Sequence, residues 1–340
     1  MLFLLTKERL DYIDCAKGMG ILFVVIAHHL QDSENILWWI YSFHMPLFFL
    51  ISGYLYEYRR KESTIKEVII SGLKTFIWPY CTFNIIIILW WIILGAVLNA
   101  QPEESIVEII LRFLTTYGYH AMWFLPTMFQ VSFTSKIFKS RKRWVILIFS
   151  VAVGCMLSYL VNSTILLPGY WRYVAMYLGR FMLGLSFVEI GRYIFMLVKK
   201  FNSSMEWVIL IVSLCISLLF YKENIFVSMV FCRIGNPIMY YLIACSGSIC
   251  ILLLAKKITN TWIGQKLCFW GKNSLIVMAV HMDISIEIAW IILGITNLST
   301  IFSFRDTSIL AILIELVILF YIVKIVNRYA KILISLPKNC

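Results

Sequence analysis

Residues 14–30 read DCAKGMGILFVVIAHHL, and after a short polar turn residues 42–56 read SFHMPLFFLISGYLY. Both stretches are apolar enough to enter a bilayer, yet both hold ionisable side chains. At bilayer depth such groups cost about 2.5–3.5 kcal/mol each on insertion scales, so they need a reason to be there. Lys17 and His28 stand eleven residues apart. That is nearly three helical turns, which returns both side chains to one face, about 16 Å apart along the axis. A cation near the start of a spanning helix and an imidazole deep within it suit an active site better than they suit packing.

The rest of the chain agrees with a membrane setting. Of 340 residues, 61% are hydrophobic and 14% charged, and the mean hydropathy is +0.86. A soluble domain carries about a quarter charged residues. The net charge of +12 would point to nucleic acid in a soluble chain. Here it reflects lysines and arginines gathered on the cytoplasmic side, and no nucleic-acid partner is expected. Nine cysteines are present. Cys81, Cys155, Cys215, Cys245 and Cys250 fall in apolar runs, where a thiol acts as a small hydrophobe. No CxxC pair or Cys/His cluster has metal-binding spacing, so neither a disulfide framework nor a metal is expected. The opening MLFLLTKER is too short an apolar run for a signal peptide, and the first span is expected to direct insertion.

Apolar runs near 16–32, 36–56, 76–98, 120–138, 144–162, 172–197, 206–221, 236–255, 273–294 and 308–327 are each long enough to span hydrocarbon, allowing for snorkelling at their ends. With the N-terminus inside, the cytoplasmic segments collect 24 of the 30 lysines and arginines. An odd number of spans would scramble that alternation. The expected fold is therefore all-α, a polytopic membrane protein of about ten transmembrane helices with both termini cytoplasmic, forming a single membrane-embedded domain over 1–340. The outer loops, of which 99–119 and 222–235 are the longest, are too short to fold as domains.

Several residues have both a plain and a functional reading. Lys17, with Gly18 and Gly20, would place a cation and open backbone at the cytoplasmic helix end, a cradle for phosphate; as a positive-inside anchor Lys17 is equally accounted for. A histidine's reference pKa suits a general base, the role His28 would take, or His28 bridges helices. His29 points about 100° away from His28 and is assigned to the interface or to packing. The tight turn around 31–35 makes the first two spans an antiparallel hairpin, which would bring His44 toward His28. Pro46 frees a backbone carbonyl nearby and is expected to kink the helix. Ser52 and Gly53 allow a helix or ligand to approach closely. His120 and Trp123 fit an interfacial aromatic belt. His281 and Asp283, two apart, do not share a helix face. Glu189 and Arg192 form a local i,i+3 pair, while Arg180 and Glu315 need partners on other helices.

IDCAKGMGILFVVIAHHL, YSFHMPLFFLISGYLY, MWFLP and WGKNSLIVMAVHM, in that order, resemble the integral-membrane acyltransferase-3 family. Within it they are most similar to the fucose 4-O-acetylase-like polysaccharide O-acetyltransferases. The family pattern is a basic residue, ten intervening residues and a His, met here by Lys17 and His28. The likeness is specific over the first 50 residues and moderate at 119–126 and 269–282; the middle agrees only in hydropathy. The resemblance implies transfer of an acetyl group from cytosolic acetyl-CoA, as co-substrate, to a hydroxyl of a surface polysaccharide or its lipid-linked precursor, in a bacterial cell membrane. On that reading His28 and His44 are catalytic, Lys17 and Gly18 hold the donor, and Trp123, His281, Ser52 and Asn273 face the acceptor. Direct attack of the acceptor and an acetyl-imidazole on His28 both remain open as routes. A transporter or flippase is the rival class, with Arg180, Glu189, Asp283, Glu287 and Glu315 along a path, but the chain shows no duplicated halves of the kind transporters often have.

Overall fold

A backbone in lipid must satisfy its own N–H and C=O groups, and a helix does this within one segment. The computed structural model describes residues 9–30, 35–59, 63–98, 106–115, 120–138, 143–163, 169–296 and 304–334. Of these, 89% are helical and none lies in a strand; one isolated bridge joins Ser228 and Arg233. The helices are α1 (Asp11–Ala27), α2 (Asn35–Arg59), α3 (Ile65–Gly72), α4 (Trp78–Leu98), α5 (Ile106–Leu114), α6 (Phe124–Ile137), α7 (Arg143–Asn162), α8 (Tyr170–Val198), α9 (Ser203–Phe220), α10 (Pro237–Ile258), α11 (Trp262–Lys272), α12 (Ser274–Val280), α13 (Ile286–Ile295) and α14 (Phe304–Tyr329).

Each expected span contains a helix, although that of the span expected over 16–32 ends at Ala27, and among the described residues eight helical stretches are long and apolar enough to cross a membrane. α3 and α4 run on through a π-helical turn at Leu73–Ile77 as one such stretch, and α12 and α13 join through another at His281–Ser285. The two remaining expected spans are shorter. α1 has 17 residues, and the 120–138 segment divides into a 3-10 turn, His120–Trp123, and the 14-residue α6. Pro126 sits in the first turn of α6, the one place where a missing N–H costs nothing. Three further helices were not expected: α3, α11 and α5, the last within the 99–119 stretch read as an outer loop. α3 extends the third span on its N-terminal side behind a capping box in which Thr64 and Glu67 bond each other's backbone. α11 fills the stretch between the spans expected at 236–255 and 273–294.

The chain forms two compact units interleaved in sequence. The first contains residues 1–23, 33–63 and 138–272. In it α8 packs along α7 and α2, and α10 along α9 and α2. Phe43, Leu47, Leu50 and Tyr54 of α2 form its core with Ile194 of α8 and Ile251–Leu253 of α10. The α2–α8 crossing is close because glycines face backbone in both directions. A Cβ on Gly53 would lie 1.8 Å from the Val188 carbonyl oxygen, and one on Gly191 would lie 2.0 Å from that of Leu50. Small residues serve this purpose in membranes, where dispersion rather than the hydrophobic effect drives helix association. Nearby, Arg192 contacts Glu189 and Glu57 at 3.5 Å, and Arg143 reaches Glu189 at 3.2 Å. The expected local pair is thus the centre of a four-residue network.

The second unit contains residues 24–32, 64–137 and 273–340. α14 packs against α12 and α13, and α3 against α6. The ring of Tyr80 on α4 stacks on Phe113 at 5.5 Å and donates to its carbonyl. Trp78 and Thr82 donate to the carbonyls of Ile332 and Leu333, fastening the segment after α14 to α4.

The glycine crossing yields a stability test. Gly53→Ala or Gly191→Ala forces α2 and α8 apart and is expected to cost on the order of 1–3 kcal/mol, as overpacking does. Gly294→Ala, where a Cβ meets nothing within 4 Å, serves as the neutral control. Thermal unfolding in detergent reads all three; equal midpoints would contradict the account.

Candidate active site

α1 stops at Ala27, so His28 and His29 lie not in the helix but in the turn that closes it. The His28 and His29 N–H groups bond the carbonyls of Val24 and Ile26. The 100° separation expected of helical neighbours therefore does not apply, and His29 has its own role. Its Nε2 donates to Glu315 Oε2 of α14 at 2.5 Å, with both side chains almost fully buried. Ser285 donates to the other Glu315 oxygen at 2.7 Å. Glu315, which the sequence left without a partner, is thus held by residues from two other elements.

His28 is half-buried, and its ring lies 5.1 Å from that of His281, tilted by 44°. His281 is 1% exposed. Its Nδ1 faces the carbonyls of Met278 and Val277 at 2.9 and 3.1 Å. Carbonyl oxygens only accept, so Nδ1 carries the proton and, in the neutral ring, Nε2 is a lone-pair acceptor. That Nε2 is buried and has no partner among the described residues. Most buried polar atoms are satisfied, so an unsatisfied one calls for an explanation, and its neighbour is the imidazole of His28.

The π-helical turn that starts at His281 shapes the rest. Asp283, 2% exposed, accepts a hydrogen bond from His120 Nδ1 at 2.6 Å. His120 sits at φ +37°, a left-handed conformation unusual for a side-chain-bearing residue, and such strain clusters at functional positions. The belt reading of His120 thus gives way to a specific pair with Asp283. The α-helical rule separates His281 from Asp283 correctly but does not reveal that their different directions serve two different partners. Trp123 is buried in the turn that follows His120, and that turn packs against α12 and the 281–285 turn. Asn273 lies at the other end of α12 and accepts from Asn327 Nδ2 at 2.7 Å.

The second unit therefore brings His28, His281 and the Trp123 turn together, with His29, His120, Asp283, Ser285 and Glu315 around them. Lys17, Gly18, His44 and Ser52 belong to the first unit. His44 is buried; its Nδ1 donates to the Ile40 carbonyl at 2.9 Å, and Tyr41 packs against its ring. α2 continues through Pro46 to Arg59. Ser52 donates to the Phe48 carbonyl. α1 begins at Asp11, five residues before the expected start, so the free N–H groups of its first turn lie beside Asp11 and Asp14 rather than Lys17. Gly18 is filled by a neighbour: its Cβ would lie 1.9 Å from the Leu267 carbonyl oxygen, and one on Gly271 would lie 1.7 Å from that of Asp14. The missing side chains let α11 and α1 touch backbone to backbone. Arg180 donates to the Val230 carbonyl at 2.5 Å, so its partners include a loop carbonyl.

A profile described as an acyltransferase domain matches residues 10–326, and the chain belongs to that family, the membrane acyltransferases of family 3. No curated protein and no solved structure matches the chain.

The His29–Glu315 pair can be tested apart from activity. His29→Leu leaves a buried carboxylate short of a partner and is expected to cost about 3–5 kcal/mol. Glu315→Gln keeps an acceptor for Ser285 and is expected to cost less. Thermal unfolding of the two variants checks the order; the reverse order would show that the pair does not hold the turn to α14.

Proposed function

We propose that this membrane acyltransferase is an O-acetyltransferase of the fucose 4-O-acetylase-like branch. In this reading it takes acetyl from cytosolic acetyl-CoA and places it on a hydroxyl of a surface polysaccharide or lipid-linked precursor in a bacterial cell membrane. Its ten helical spans leave both ends in the cytoplasm, in line with the distribution of lysine and arginine. The observation that carries the reading is the pair of imidazoles at His28 and His281, one half-buried and one with a bare acceptor nitrogen, in a chain whose family transfers acyl groups.

His28 acts as general base. It removes the proton from the acceptor hydroxyl as the oxygen attacks the thioester carbonyl, then returns it to the departing thiolate as the tetrahedral intermediate collapses. His281 offers Nε2 as an acceptor to a neighbouring hydroxyl of the glycan and so orients the attacking one beside it. Its own ring is held still by the two carbonyls on Nδ1, so little ordering is left to do at the moment of reaction. Trp123 and its turn wall the acceptor side. Lys17 meets the phosphates of the donor as a cation rather than through a helix terminus, and His44, as an imidazolium carrying a proton on Nε2 as well, supports the developing oxyanion.

Purified protein in nanodiscs with acetyl-CoA and cell-envelope glycan provides the assay, read as free thiol release and as acetyl on the glycan. Removing a general base typically costs about 10²–10⁴-fold, so His28→Ala is expected to lose transfer by that factor while still inserting and folding. Lys17→Ala is expected to raise the apparent KM for acetyl-CoA with little change in kcat. Full activity in His28→Ala would overturn the assignment, and an unchanged KM in Lys17→Ala would remove the phosphate role.

A further inference from the structure

The first unit holds a cavity of about 500 Å³ between the start of α2 and the 221–236 connection, lined by none of the residues of the imidazole cluster. We propose that it binds a pyranose ring carrying a negative charge, a carboxylate or a phosphate. This names the charge class of the acceptor and rests on the reading of that acceptor as a glycan.

The connection is built too firmly for a plain linker. Asn224 is buried, and its side chain makes three hydrogen bonds, donating to Ile234 and accepting from Ile225 and Asn236. Gly235 at φ +63° has no room for a side chain, since a Cβ would lie 2.1 Å from Asn224 Oδ1. Ser228 and Arg233 exchange two backbone bonds of 2.8 and 2.9 Å. Arg180 of α8 holds the Val230 carbonyl, and Asn162 of α7 holds that of Cys232. A rigid loop loses little entropy on binding, and that is what a preformed site requires.

The walls supply what a charged sugar needs. Trp38 and Phe226 line the cavity, with ring centres 6.2 Å apart. Aromatic faces take the apolar face of a pyranose. Lys222 and Arg233 line it as well, against the single carboxylate of Glu223. Both cations have exposed side chains, and an arginine fork matches a carboxylate or phosphate in two bonds. Asn236, also on the wall, caps the 22-residue α10, so the positive end of that helix dipole lies at the rim. The volume lies within the range of small-ligand pockets, about 300–1,000 Å³, which suits a mono- or disaccharide.

The test measures binding, not activity, on the full-length protein in nanodiscs by calorimetry. The probes are cellobiouronic acid, cellobiose 1-phosphate, neutral cellobiose and inorganic phosphate. One or both acidic sugars are expected to bind about tenfold or more tighter than cellobiose and than phosphate alone, as charge-assisted bonds are stronger than neutral ones; the tighter of the two identifies the charge. Lys222→Gln with Arg233→Gln is expected to bring acidic and neutral sugars to the same affinity. Trp38→Leu should weaken both and Trp38→Phe should restore them, which a folding defect would not do. Equal affinity for neutral and acidic sugars, phosphate binding as tightly as either acid, or unchanged affinities in the variants would overturn the proposal. Acetyl transfer with a neutral-preferring pocket sinks this proposal alone. Acidic-sugar binding without any acetyl transfer sinks the enzymatic reading and leaves the pocket standing.

Discussion

The contact between His29 and Glu315 joins the turn after the first helix to the last helix, and the candidate site depends on it. A carboxylate buried among apolar helices is costly unless donors meet it from fixed positions. Here His29 and Ser285 meet it, and each brings a neighbour of consequence. His29 holds the turn that presents His28, and Ser285 closes the π-helical turn that starts at His281. The polar cluster is a mutual constraint: moving one member strands the others without partners.

His28 and its spacing from Lys17 were readable from the sequence, because an ionisable group in an apolar run is anomalous wherever it lies. The membrane-spanning helices were readable from the length of their apolar runs, whereas α3, α5 and α11 were not. His29 was not. Its assignment to packing assumed that the helix ran on past Ala27, and only the early end of α1 puts both histidines to use. His120 was hidden because a His among aromatics at a span boundary looks interfacial, and its partner Asp283 is 163 positions away. The π-helical turn that aims Asp283 leaves no trace in a 3.6-residue period.

The glycines show a different limit. Gly18 beside Lys17 suggested open backbone for an anion, whereas its open space is filled by α11, a helix between two expected spans. The same residue type at Gly53 was read as a place of close approach, and there α8 is the neighbour. A glycine in sequence announces proximity; what comes near is decided by the fold. Family membership across residues 10–326 carries the reaction class, while the arrangement of His28 and His281 supplies the chemistry proposed for it.

The pinned ring of His281 has one more consequence. Passing a proton along a chain of imidazoles requires each ring to take it on one nitrogen and release it from the other. With Nδ1 committed to the Val277 and Met278 carbonyls, His281 can only take up and give back a proton at the same atom. A membrane protein with so many titratable groups at depth risks acting as a wire between compartments, and this residue is a break in that wire.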